Sequence, residues 1–235
     1  MGNNISENIE EYLEVLYRNG SNKEQVSTTQ LSRDLGIAPG SVTQMLKKLE
    51  KLEYIDYIPY KGASLTDSGM AIAQKITRKH RILEKFLHDV LKIKYENIHE
   101  QACEMEHTLS DEAERALCLM LKHPDLCPDD HLIPACNFNF KSCLDCFNEQ
   151  DFDNVLKRDN NLLALSELHG DAEGVVCFIR GNTNILDAVD ELGITIGSII
   201  RYKSNEEEHE TYVFSVLDRE VDIPQNLANN IFVKL

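Results

Sequence analysis

Four residues with metal-binding side chains, His99, Cys103, Glu106 and His107, stand at offsets 0, +4, +7 and +8. On an α-helix that spacing sets all four along one face. Such a stripe is hard to account for as core, because buried polar groups need partners; the plain alternative is a solvated face with incidental His and Cys. A second pair, His80 and Glu84, stands at i, i+4 upstream. By itself a His/Glu pair of that spacing is usually a surface pair. Two such helices packed together would offer nitrogen, oxygen and sulfur donors to one or two divalent first-row metals. Nearer the N-terminus, Glu10, Glu11 and Glu14 form either a solvated acidic face or a source of one more ligand, which would tie the first helix to the later pair.

A further constellation is Cys127-x8-Cys136-x6-Cys143-x2-Cys146. Four cysteines have the ligand count of a structural Zn²⁺ site or an iron–sulfur cluster; the alternative is four free thiols in a loop. Cys118 and Cys177 read as small buried hydrophobes. The chain has seven cysteines, an odd number, and the opening MGNNISENIEEYLEVLY is acidic and polar, unlike a secretory leader. The cysteines are therefore expected to be thiols or metal ligands in a reducing cytoplasm, not a disulfide framework.

The elements that must position these residues fall into two styles. Ile9, Leu13 and Leu16 form a helical stripe. Ser27-Thr28-Thr29-Gln30 fits a capping box opening a short helix that Gly36 stops. Pro39-Gly40-Ser41 opens a second helix with Val42, Met45 and Leu49 inward. Tyr54 to Ile58, a Lys61-Gly62 turn, and Ala63 to Thr66 then read as a small hairpin. Helix, turn, helix and hairpin is the order of a winged helix-turn-helix. Helix resumes from Thr66 to Leu91 and again from about 96 to 121, with a break near Ser110. From about 160 the pattern turns to strands, including Gly174–Arg180, Ser198–Tyr202 and Thr211–Val216.

The expected fold is mainly α with a small β domain. A winged helix occupies residues 1–75, a helical metal-binding and dimerisation domain 76–123, a cysteine-containing linker 124–159 and a C-terminal SH3-like β-barrel 160–235. At 235 residues, with 42% hydrophobic and 27% charged residues, the composition is that of a globular chain and not a disordered one. Every long apolar run is interrupted by charge, so no membrane span is expected.

The net charge of −16 argues against a nucleic-acid binder, since DNA affinity comes largely from cations meeting phosphates. Its distribution weakens that objection. Residues 1–75 hold eight basic and ten acidic residues, and three of the acids are Glu10, Glu11 and Glu14. Lys47, Lys48, Lys51 and Lys61 cluster at the second helix and hairpin, where phosphates would lie, and Lys23 adds to the basic count. Ser41, Thr43 and Gln44 open the recognition helix, where side chains reach base edges. Gln pairs bidentately with adenine; Ser41 could instead only cap its helix. Lys47 and Lys48 read as phosphate contacts.

Three stretches, in order after a winged helix, carry a resemblance: Ile9-Glu10-Glu11-Tyr12-Leu13, Arg78-Lys79-His80-Arg81-Ile82-Leu83-Glu84, and Ala102-Cys103-Glu104-Met105-Glu106-His107 with Leu109-Ser110-Asp111-Glu112. The chain resembles the diphtheria-toxin-repressor family of iron- and manganese-dependent transcriptional regulators. Glu191-Leu192-Gly193-Ile194-Thr195-Ile196-Gly197 is similar to the SH3-like domain of ferrous-iron-transport-A proteins. The resemblance implies two metal sites. Cys103, Glu106 and His107 match the primary site, with Glu11 where that site takes a ligand from the first helix. His80, Glu84 and His99 match the ancillary site. Glu14 matches a carboxylate of manganese-type members. Some members add ancillary ligands from the SH3-like domain; here Asn182 and Ile185 fall near that place, without a carboxylate. The soft Cys103 tilts the primary site toward Fe²⁺, and Glu11 tilts it toward Mn²⁺.

The leading expectation is a homodimeric, Fe²⁺-activated repressor of metal-uptake genes in the cytoplasm, binding a double-stranded DNA operator. A manganese-responsive regulator of the same family is the near alternative. A metal-dependent enzyme is a second class, disfavoured by the winged helix and by the lack of a nucleophile–base pair or phosphate loop. An accessory protein of ferrous transport is a third.

Overall fold

A computed structural model describes residues 5–20, 25–149, 155–158, 160–206, 211–217 and 219–235. Lys23, with residues 150–154 and 159 of the expected linker, lies outside them. The chain divides into two compact units, Met1–Thr77 and Arg78–Leu235.

The first unit contains α1 (Glu7–Asn19), α2 (Thr28–Leu35), α3 (Pro39–Lys51), β1 (Ile55–Ile58), β2 (Gly62–Leu65) and the beginning of α4 (Asp67–Asp89). The expected stripe of Ile9, Leu13 and Leu16 is buried, and Tyr12 and Val15 join it. Ser27 caps α2 by accepting from the Gln30 amide at 3.2 Å. The Gln30 side chain does not complete the box; its Nε2 donates to Asp34 Oδ2 at 2.9 Å. Gly36 ends the helix in the left-handed region at φ 65. Pro39 occupies the first turn of α3, where its missing N–H costs nothing. The buried face of α3 is Val42, Leu46 and Leu49, with Met45 at its edge.

The wing strands pair antiparallel from Ile55↔Leu65 to Ile58↔Gly62. The connection is therefore Pro59-Tyr60-Lys61, one place earlier than the Lys61-Gly62 turn the sequence suggests. Val26 bridges Ala63 and brings its carbonyl against Gly62. A Cβ on Gly62 would lie 2.2 Å from that oxygen, and its φ is +135. Only glycine fits there.

The second unit holds the remainder of α4, then α5 (Tyr95–Glu106), α6 (Asp111–Met120) and α7 (Cys143–Asn148). Ser110 breaks the helical run by capping α6, accepting from the Ala113 amide at 3.1 Å. The stretch expected to be a linker is packed. Cys127, Ile133, Phe138, Cys143 and Cys146 are buried, and the Ile179 amide donates to Lys141 O at 2.9 Å.

The β part contains β3 (Leu163–Ala164), β4 (Glu173–Ile179), α8 (Thr183–Glu191), β5 (Ile199–Glu206), β6 (Thr211–Val216), β7 (Arg219–Pro224), α9 (Gln225–Ala228) and β8 (Ile231–Lys234). They form one antiparallel sheet in the order β3-β8-β4-β5-β6-β7. Tyr212, Phe214 and Val216 alternate inward along β6 over Val176, Ile200 and Ile231. Among the described residues no pairing joins β3 to β7, so the expected barrel closure is not seen in the hydrogen-bonded sheet. Among them too, no helix is long and apolar enough to cross a membrane.

Gly62→Ala is expected to destabilise the first unit by about 1–3 kcal/mol, the usual cost of one strained backbone position. Urea unfolding of the full chain, followed by a probe in the wing, measures it. Unchanged stability would show that Val26 and the wing move apart at little cost.

Candidate metal centre and nucleic-acid interface

The sequence sets His99, Cys103, Glu106 and His107 on one helical face, and the structure divides that face around one imidazole. His80, on α4, is buried against α5. Its Nδ1 lies 2.6 Å from Glu106 Oε2, and its Nε2 lies 2.9 Å from Glu84 Oε1 and 3.0 Å from His99 Nδ1. Cys103 Sγ is 3.9 Å from His80 Nδ1. His107, at the C-cap of α5, places Nε2 3.4 Å from Glu106 Oε1.

Two donor groups result, each with its ligand atoms within 4.8 Å of one another: His80, Glu84 and His99, and His80, Cys103 and Glu106. The first is all nitrogen and oxygen, and the second adds sulfur. Both sets suit a divalent first-row cation. Buried carboxylates of Glu84 and Glu106 make the floor, while the His99 side chain is 58% exposed, leaving an approach from solvent. Burial alone would raise Glu84. Hydrogen bonds from His80 and His99, the charge of His80 and a bond from the Cys127 thiol outweigh it and hold the carboxyl well below the usual range.

That last contact was not legible in the spacing. Cys127, grouped by sequence with the later cysteines, sits instead beside Glu84 and forms a donor group with Asp129 and His131. Burial pushes its thiol up. Cys136, Cys143 and Cys146 line a separate cavity with Cys118, which had read as a small hydrophobe. Asn182 caps α8 by accepting from the Ile185 amide at 3.3 Å.

On α1, Glu11 is exposed, whereas Glu14 is only 9% exposed. Both belong to the first unit.

The reading head is also in the first unit. The N-cap of α3 is Ala38, so Ser41 does not cap the helix; it lies exposed in the first turn with Gln44 one turn on. Thr43 Oγ1 donates to Pro39 O at 2.9 Å, which occupies its hydroxyl. Lys47, Lys48 and Lys61 are exposed. Tyr60 at the wing tip is fully exposed with φ 66. Sequence reasoning passed over it, although a Pro-Tyr-Lys tip between two short strands was visible.

A winged helix followed by helices that gather His, Cys and Glu defines a metal-responsive DNA-binding regulator. Known proteins agree. The iron dependent repressor N-terminal DNA binding domain matches residues 4–63, the iron dependent repressor metal binding and dimerisation domain 66–135, and the FeoA domain 163–235. An uncharacterized HTH-type transcriptional regulator of Methanocaldococcus jannaschii is 42% identical over 123 residues, covering 52% of this chain and 98% of the relative. The iron-dependent repressor IdeR of Mycobacterium tuberculosis is 28% identical over 133 residues, 57% of this chain and 58% of its own length. The chain thus spans little more than half of that relative. The crystal structure of the metal-dependent transcriptional regulator MtsR shares the fold, with a TM-score of 0.51 at 23% identity, covering 98% of this chain and all of that one. The chain belongs to the iron-dependent repressor family. It is a metal-dependent, DNA-binding transcriptional regulator and not an enzyme.

Cys103→Ser is expected to weaken cation binding at the sulfur-containing group by about tenfold or more, and His80→Ala to weaken both groups. Anaerobic metal titration of each full-length variant checks this. Two unchanged affinities in His80→Ala would remove the shared imidazole from both sites.

Proposed function

We propose that the chain is a homodimeric repressor of metal-uptake genes, activated by Fe²⁺ and acting on a double-stranded DNA operator in the cytoplasm. The supporting observation is His80, one buried imidazole reaching two donor groups on α4 and α5. In this reading Cys103, Glu106 and His107 make the primary site, and His80, Glu84 and His99 make the ancillary one. Cys127 stands beside Glu84. Residues 1–75 read DNA, 76–123 bind metal and dimerise, 124–159 connect, and 160–235 form the SH3-like domain. Cys136, Cys143 and Cys146 of the connecting segment, without Cys127, hold a metal group separate from the regulatory ion.

A bound divalent cation supplies positive charge and a demand for coordinating electron pairs. Glu84, Glu106, Cys103 and the ring nitrogens must exchange the hydrogen bonds among them for bonds to the cation, which links binding to the packing of α4 on α5. A ligand from α1 would extend the link to the DNA-binding unit and bias the spacing of two recognition helices in a dimer. Cys103 favours Fe²⁺ as the softer partner. The burial of Glu14, at the carboxylate position of manganese-type members, favours a second reading in which Mn²⁺ is the effector. Anaerobic DNA binding titrated against Fe²⁺, Mn²⁺ and Zn²⁺ decides between them; no response to any of the three would end the proposal.

Lys48→Ala is expected to weaken binding alike on all DNA sequences and to lower the salt slope by about one. Gln44→Ala should relax sequence preference, costing about 1–3 kcal/mol of discrimination at one base pair. Binding to a panel of operator variants measures both. An unchanged preference in Gln44→Ala would take that residue out of base reading.

A further inference from the structure

The wing ends in four consecutive exposed residues, Ile58, Pro59, Tyr60 and Lys61. Ile58 is 42% exposed and Tyr60 is exposed on every side. Three apolar or aromatic side chains in a row at a protruding turn lose free energy by facing water. The core of the unit has no use for them. It takes Ile55, Ala63 and Leu65 from the wing, with Tyr57 at its edge, and stops short of the tip.

The backbone at the tip is also unfavourable for the residue it carries. Tyr60 sits at φ 66, in the left-handed region that glycine enters at less cost than a bulky side chain. The Lys61 amide donates to Ile58 O at 3.1 Å, and the β1–β2 pairing fixes both ends of the turn. A glycine at position 60 would make this turn more easily. Fold stability therefore gives no reason for a tyrosine there, and strain of this kind points to function.

We propose that the wing tip enters the minor groove of the operator beside the stretch that α3 reads, with Tyr60 packed into the groove and Lys61 against a phosphate at its edge. The assignment deepens the DNA-binding role of the first unit and rests on it. Three observations carry it. The tip lies within residues 4–63, which match the DNA binding domain. It is continuous with the recognition helix: β1 begins four residues after Lys51, and the Tyr54 amide donates to Leu49 O, which ties the base of the wing to the end of α3. A four-residue strand then carries the tip about 13 Å outward. The next minor groove lies about half of a 34 Å helical turn from the major groove, which the wing and a tyrosine side chain together span.

The second observation is charge. From Ile58 to Lys61 the tip has one cation and no carboxylate, and Asp56 stands back along β1. The third is the chemistry of the tip. Proteins that use the minor groove press apolar wedges against base steps. Isoleucine and proline are such wedges, and a tyrosine adds a flat ring with a hydroxyl donor. That hydroxyl suits the N3 and O2 acceptors on the groove floor, which A·T and T·A pairs share and which the amino group of guanine obstructs. Contact by Tyr60 thus favours A·T over G·C pairs in the flank, without telling A·T from T·A.

The test uses the full chain loaded anaerobically with Fe²⁺, Mn²⁺ or Zn²⁺. Duplexes are selected by the loaded protein from a random pool and rebuilt with A·T or G·C flanks. The wild type is expected to prefer A·T flanks and to protect their minor groove from hydroxyl radicals. Tyr60→Ala should weaken binding to A·T-flanked duplexes about tenfold, the scale of one lost aromatic contact with bases. It should also erase the flank preference and the flank protection, with the salt slope unchanged. Lys61→Ala should instead lower the salt slope by about one. Tyr60→Gly should resist urea better than the wild type and still lose the same affinity, which separates the contact from the fold. Wild-type affinity and flank protection in Tyr60→Ala, beside weakened binding in Lys48→Ala, would overturn the proposal and leave the DNA reading intact. So would an equal loss on both flanks, or a Tyr60→Ala chain whose sedimentation changes while its footprint does not, which would make the tip a contact between copies. A wild type that selects no duplex with any of the three cations would end the DNA reading itself.

Discussion

One stretch of α4 buries side chains that a helix ordinarily turns to water. Arg78, Lys79, His80 and Glu84 are all below 9% exposed. Each needs partners, because an unpaired buried charge costs several kcal/mol. Much of the second unit is arranged to provide them. Arg78 reaches Glu114 Oε1 at 2.6 Å on α6 and Pro134 O at 2.7 Å. Lys79 donates to Leu109 O, and Asp111 lies 3.7 Å away. His80 turns to α5, and Arg81 donates to Leu132 O. One helix therefore fixes α5, α6 and the 132–134 segment through polar contacts whose geometry is directional.

That constraint explains why the candidate metal donors sit where they do. Ile98 and Ala102 pack α5 on Leu83 and Leu87 of α4, setting the two helices in contact. The polar edge of the same contact is the row His107, Glu106, His80, Glu84 and His99. The apolar packing positions the row, and the row's internal hydrogen bonds satisfy its buried atoms. A cation competes with those bonds.

The negative net charge of the chain and its role on DNA are compatible because much of the negative charge lies away from α3 and the wing, where Glu50 and Asp56 stand among the exposed lysines. Lys47, Lys48, Lys51 and Lys61 project from α3 and the wing, all exposed. The acidic residues of α1 and the carboxylates of the metal row lie on other elements. Long-range repulsion from DNA is screened within about 8–10 Å at physiological salt, so local sign at the reading head matters more than the total.

Local patterns in the sequence determined a good deal. The winged helix was legible because capping residues, a Pro at a helix start and glycine turns act within a few residues of themselves, so Ser27, Gly36, Pro39 and Gly62 announced their elements. The candidate metal donors were legible because His80/Glu84 and the Cys103-to-His107 run follow helical period. What the tertiary structure decided depends on contacts between distant segments. Periodicity placed His99 with Cys103, the resemblance placed it with His80 and Glu84, and the packing of α4 against α5 brings those three together. Spacing grouped Cys127 with the later cysteines, whereas the fold of the 124–149 segment carries it to Glu84 and brings Cys118 in from α6. Seventeen residues separate Cys118 from Cys136, too many for any local rule to join them. The strand β7 was missed because its burial alternation is weak, and the place of β8 between β3 and β4 has no local signal, since strand order is set by which edges remain unpaired after the rest of the sheet has formed.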